Sequence, residues 1–153
     1  MRIGRDEGGS VTFGPLVPGG IPSEVADYDF LMGPVSVVAP GHPPYLLEDR
    51  NGVEALALSC FRADLKRLLS EREGRVFFGD HDFGEIVDLE CVDGDVRVRS
   101  DLPSHDVWEI EVATLGPADI QATIEDIDRI EAAFGPLLGY CGGCGIPQSA
   151  YYS

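Results

Sequence analysis

The sequence predicts an α+β domain in which a single antiparallel β-sheet, a meander at residues 85–113, packs against two α-helices at about residues 60–73 and 117–134. The meander is predicted by apolar and polar residues that alternate on both sides of an Asp-Gly pair in EIVDLECVDGDVRVRS, a pattern typical of a β-hairpin. The helices are predicted by apolar residues at helical spacing in SCFRADLKRLLSEREG and GPADIQATIEDIDRIEAAFG.

The chain of 153 residues is long enough for one domain with a core and hardly for two. We expect that single domain at residues 34–135, because breakers are dense on either side of it. A Gly/Pro-rich N-terminal segment at 1–33 precedes it, and a Gly/Cys-containing tail at 136–153 follows. The remaining expected elements are short strands at 11–13 and 28–32, strands at 35–39, 53–58 and 75–78, and a loop at 41–52.

The Asp93-Gly94 pair fixes the expected register of the hairpin, since a two-residue turn there makes every opposed pair of positions predictable. One face is then apolar, and the other pairs Glu90 with Arg97 and Asp88 with Arg99. The apolar face contains Val87, Leu89, Cys91, Val96 and Val98. The third strand is expected to turn Trp108, Ile110 and Val112 inward and Glu109 and Glu111 outward.

The two helices have recognisable ends in the sequence. Ser59 is a suitable N-cap for the first helix, and Gly74 is a suitable breaker after it. Pro117 suits the first turn of the second helix, which Gly135 and Pro136 are expected to end. The expected buried stripe of the first helix is Phe61, Leu65, Leu68 and Leu69. That of the second is Ile120, Ile124, Ile127, either Ile130 or Glu131, and Phe134.

Charge is distributed unequally along the chain, whose net charge is −16. Residues 1–79 contain 11 acidic and 8 basic residues, a balance of −3, whereas residues 80–153 contain 16 acidic and 3 basic residues, a balance of −13. Such a surface repels nucleic-acid phosphates and attracts a basic protein. We therefore predict partner-binding residues on the outer sheet face and on the second helix. They are Asp88, Glu90, Glu109, Glu111, Glu125, Asp128 and Glu131. The alternative is that these groups only keep the protein soluble.

Several features bear on compartment and source. No apolar run approaches the roughly 20 residues that span a bilayer, and no apolar segment follows the basic residues of MRIGRDEGGS. We expect a cytoplasmic protein without membrane contact. One lysine against ten arginines, with abundant Ala, Gly and Pro, is typical of a GC-rich bacterial genome.

Cys141 and Cys144, in GYCGGCG, have the spacing of half a zinc site or of a redox pair. Cys60 and Cys91 are single, so the other two zinc ligands are not evident. The pair also follows the last helix rather than opening one, unlike a redox motif.

His81 and His105 lie beside aspartates at predicted turns, where these residue types are common. We predict no enzyme activity, no metal and no cofactor.

The order of elements after residue 53 resembles the small bacterial immunity proteins of the WapI type and related actinobacterial families of unknown function. The resemblance covers residues 53–135. It rests on three features: an F-x-x-x-L helix, a D-G hairpin with alternating valines, and an aromatic-bearing acidic strand before the last helix. The matching positions are Phe61, Leu65, Asp93, Gly94, Val96, Val98, Trp108, Glu109 and Glu111. Before that helix this chain has TLGPAD where the family often has an Asp-Gln-Thr-like segment.

The resemblance implies a non-enzymatic protein that neutralises a partner toxin. Together with the charge distribution it predicts a protein-binding module, an immunity protein whose acidic surface meets a basic toxin or effector. The alternative is a small metal-binding or redox protein that uses Cys141 and Cys144.

Overall fold

The computed structural model describes residues 1–5, 7–18, 30–80, 84–100 and 110–138. Within these residues the chain forms nine strands and two helices. In chain order they are β1 Arg2–Gly4, β2 Ser10–Phe13, β3 Val17–Pro18, β4 Phe30–Val38, β5 Tyr45–Glu54, α1 Ala55–Glu71, β6 Gly74–Asp80, β7 Gly84–Val92, β8 Asp95–Ser100, β9 Ile110–Leu115 and α2 Pro117–Leu138.

The strands form two antiparallel sheets, so the predicted α+β class with two helices is confirmed and the prediction of a single sheet is wrong. In the first sheet β4 is central: β5 pairs along one edge of it, and β2 and β3 lie one after the other along the opposite edge, with β1 beyond β2. The second sheet has the order β6-β7-β8-β9. The sheets meet where β1 and β2 contact β9 and where β5 contacts β6.

The first sheet draws much of its sequence from segments that were predicted as something else. Residues 2–18, within the Gly/Pro-rich segment, supply three strands, of which only β2 corresponds to a predicted strand, at 11–13. Residues 45–52 belong to β5 where a loop was predicted. Glycines of the first sheet allow close approach of backbones. A Cβ on Gly9 would lie 1.6 Å from the carbonyl oxygen of Val112 in β9, so only glycine fits there.

In the second sheet the predicted hairpin register is confirmed at all six pairs, from Val87 opposite Ser100 to Val92 opposite Asp95. Asp93 and Gly94 both have positive φ, 53° and 88°, as a type I′ turn requires. β9 pairs with β8 and has a register shift at the position of Val112. Ile110 and Val112 are buried and Glu111 is exposed, as predicted. Trp108 and Glu109 lie outside the described residues.

Helix α1 begins at Ala55, so the strand predicted at 53–58 is wrong beyond its first two residues. The Ala-Leu-Ala-Leu run has an alternation that fits a strand, but both residue types strongly favour helix. Leu58 extends the buried stripe of Phe61, Leu65 and Leu68 by one turn. Ser59 is consequently inside the helix, and its predicted role as N-cap is wrong.

Both helices end differently from the prediction. α1 stops at Glu71, and Arg72 rather than a glycine takes the left-handed conformation after it, with φ of 56° and its N–H donating to the carbonyl of Leu68 at 3.0 Å. α2 continues through Gly135 and Pro136 to Leu138. A proline near the last turn removes one backbone hydrogen bond without preventing two further helical residues.

One hydrophobic core joins the two sheets and both helices. At its centre Phe78 of β6 makes an edge-on contact with Phe13 of β2, with ring centroids 5.0 Å apart, and a tilted contact with Phe61 of α1 at 4.5 Å. Aromatic pairs of this kind add to the energy of burial. No described helix is long and apolar enough to cross a bilayer.

Candidate functional site

The predicted partner-binding residues lie in two places. Asp88, Glu90 and Glu111 project from the outer face of the second sheet, because their neighbours Val87, Leu89 and Val112 face the core. Glu125, Asp128 and Glu131 are on α2. Glu109 lies outside the described residues.

Asp88 is the most constrained of these carboxylates. The Arg75 guanidinium on β6 donates to both of its oxygens at 2.7 Å, and Arg99 on β8 donates to one of them at 2.6 Å. Its side chain is only 14% exposed. Burial alone would raise the pKa of Asp88, but the hydrogen bonds from Arg75 and the charge of Arg99 outweigh it and lower that pKa below 3.8. Asp88 is therefore a mostly buried anion whose charge is already compensated by two arginines of the same chain.

The other two carboxylates of the face are held more loosely. Arg99 also reaches Glu90 at 3.2 Å. Arg97 approaches Glu111 at 3.8 Å, and the Glu111 side chain remains 64% exposed. An ion pair so open to water contributes little energy. Among the predicted partner-binding carboxylates of this face, Glu111 is therefore the most available to a partner.

Arg75 and Phe77 belong to the same face and were missed by the sequence analysis. The pairing of β6 with β7 places Phe77 opposite Asp88 and Arg75 opposite Glu90. The Arg75 guanidinium lies 4.8 Å from the centre of the Phe77 ring. The strand itself was predicted, but no pairing was assigned to it, so nothing indicated that these side chains lie beside Asp88. With them, this face has three arginines and, counting the exposed Asp95 opposite Val92, four described carboxylates, so its charge is nearly balanced.

On α2 the carboxylates facing α1 are also paired. Arg62 of α1 donates to Asp128 at 2.9 Å and to Glu131, and the hydroxyl of Ser59 donates to Glu131 at 2.9 Å. These contacts link the two helices across their shared side. Ser59 thus has a tertiary role in place of the predicted capping role.

Elsewhere on α2 one carboxylate differs from the rest. Glu125 is exposed and accepts one hydrogen bond, from Gln121 at 3.4 Å, with no ion pair among the described residues. By contrast, Asp126 accepts the backbone N–H of Arg2 at 3.0 Å and pairs with Arg129. Burial would raise the pKa of Asp126, but these hydrogen bonds outweigh it and lower the pKa. Glu125 resembles Glu111 in being free to meet a partner.

The residues considered for chemistry are only partly described. Among the described residues no three His, Cys, Asp or Glu side chains are grouped as metal ligands would be. Cys60 is exposed, and the thiol of Cys91 donates to the carbonyl of Arg72 at 3.0 Å. Residues 81–83, 101–109 and 139–153, with the His–Asp turns and the Cys141–Cys144 pair, lie outside the described part of the chain.

Comparison with known proteins found no family model, no curated protein and no solved structure that matches this chain. The resemblance to the WapI-type immunity proteins therefore stays a prediction.

Proposed function

We propose that this chain is a non-enzymatic, protein-binding immunity protein of the bacterial cytoplasm, which neutralises a basic toxin through acidic groups of its C-terminal half. The observation that carries the proposal is the balance of −13 over residues 80–153, with six of the seven predicted carboxylates on a sheet and a helix. Carboxylates on ordered elements cost less entropy to bring into a complex than carboxylates on loose segments.

The ion pairs within the chain distinguish carboxylates that are already compensated from those that are available to a partner. Asp88 and Glu131 are held by arginines of the same chain, and their charges are already largely compensated. Glu125 has no ion pair among the described residues, and the ion pair of Glu111 with Arg97 is long and exposed. The fields of such exposed carboxylates extend into solvent, where they steer a basic protein toward the surface. Glu111 and Glu125 are therefore the principal attracting groups. The carboxylates that are paired with arginines hold the strands and helices of this surface in position.

The first test is a biological one. The protein encoded immediately upstream in the genome should be a large toxin-like protein with a basic effector domain, and its expression should be lethal unless this chain is present. Purified effector domain should bind the chain directly. A lethal, basic effector that neither binds this chain nor is neutralised by it would reject the immunity function.

The second test locates the surface. The double reversal Glu111→Lys with Glu125→Lys should lower the association rate with that effector at low salt by about tenfold or more. The reason is that it weakens the long-range electrostatic attraction that accelerates association. The matched control is Glu7→Lys with Glu71→Lys, which changes the net charge equally at two other exposed positions. An equal loss in both double variants would show that overall charge, and not this surface, attracts the effector.

A further inference from the structure

We draw no further inference here: the strongest candidate, the apolar patch of Phe77 and Val92 exposed on the outer face of the second sheet, carries none because nothing in the structure shows what covers that face.

Discussion

The two sheets have similar apolar buried faces, but the chemistry of their outer faces differs. On the second sheet, charged side chains link neighbouring strands: Arg75 and Arg99 bind Asp88 from the strands on either side, and the hairpin follows its alternating pattern residue by residue. The first sheet has hydroxyl and apolar groups outside, and its junction with the second depends on the missing side chain of Gly9. Neighbouring elements can thus be joined by ion pairs between side chains or by close contact between backbones. The first requires charged residues and the second requires glycine, so the two differ in sequence.

The largest effect should come from the shape-dependent junction. Gly9→Ala places a methyl group against the backbone of Val112, 1.6 Å from its carbonyl oxygen, and neither backbone can move without disturbing its sheet. We expect a loss of about 3 kcal/mol or more in the free energy of unfolding, or failure to fold. Urea denaturation measures it.

Gly8→Ala is the control for that substitution. Gly8 has φ of 126° and open space around its Cβ position, so alanine is strained there without a clash and should cost about 1–2 kcal/mol. Equal losses for the two variants would mean that the sheets do not meet as closely at Gly9 as the structure indicates.

The charge-dependent sheet should respond less. Asp88→Asn leaves two arginines without their shared anion, and we expect a loss of about 1–3 kcal/mol. Glu111→Gln, at the exposed and looser pair, should change the free energy of unfolding by less than about 0.5 kcal/mol. If the two substitutions had the same effect, Asp88 would not be the centre of the network.

The pH dependence gives an independent view of the same network. Because the folded-state pKa of Asp88 lies below its usual 3.8, its stabilising contribution is complete above 3.8 and is lost as the pH falls through the lower folded value. Asp88→Asn should accordingly flatten the decline of stability in this acidic range. Chemical denaturation at a series of acidic pH values would show whether the variant and the parent converge as the aspartate becomes protonated.

A smaller effect, of opposite sign, is expected where α1 joins the second sheet. Arg72 holds a left-handed φ of 56°, a conformation that glycine adopts without strain. Arg72→Gly should raise the free energy of unfolding by about 0.5–1 kcal/mol, with Arg72→Ala as a control that retains the strain. Destabilisation by glycine would show that the arginine side chain has a structural contact of its own.

The smallest effect should come from Cys141 and Cys144, which lie outside the described residues. Cys141→Ser with Cys144→Ser is expected to leave the urea midpoint unchanged, because the prediction is that these residues hold no metal. Metal analysis of untagged protein completes the test. A stoichiometric metal, or a loss of several kcal/mol in the double variant, would favour the alternative metal-binding function.

The second sheet was largely predictable because its information is local. Alternation and the Asp93-Gly94 turn specify the hairpin, and the pairing of Glu90 with Arg97 follows from register. The pairing of Arg75 with Asp88 was not predictable, since it depends on which strand lies beside β7. For the same reason the sequence did not show that Asp88 would be neutralised while Glu111 stays open.

The first sheet was only partly predictable: strands were predicted at 11–13, 28–32 and 35–39, within or near β2 and β4, whereas β1, β3 and most of β5 were missed. Its strands are short or contain glycine and proline, which usually mark turns. Gly9 and Gly33 are required by close contacts with residues distant in the chain, Val112 and Pro15 respectively, and local patterns contain no sign of such contacts. In residues 55–58 the alternation favoured a strand while the propensity of alanine and leucine favoured helix, and packing of Leu58 in the core agrees with the helix.

The central claim is that uncompensated carboxylates of the C-terminal half attract a basic partner. Its most direct test is the association rate with the upstream-encoded effector as a function of ionic strength. The rate should fall steeply from low salt to physiological strength, where the screening length is about 8 Å, and the Glu111→Lys, Glu125→Lys variant should show a much weaker dependence. An association rate that ignores salt, and ignores those two reversals, would contradict the claim and assign binding to another surface.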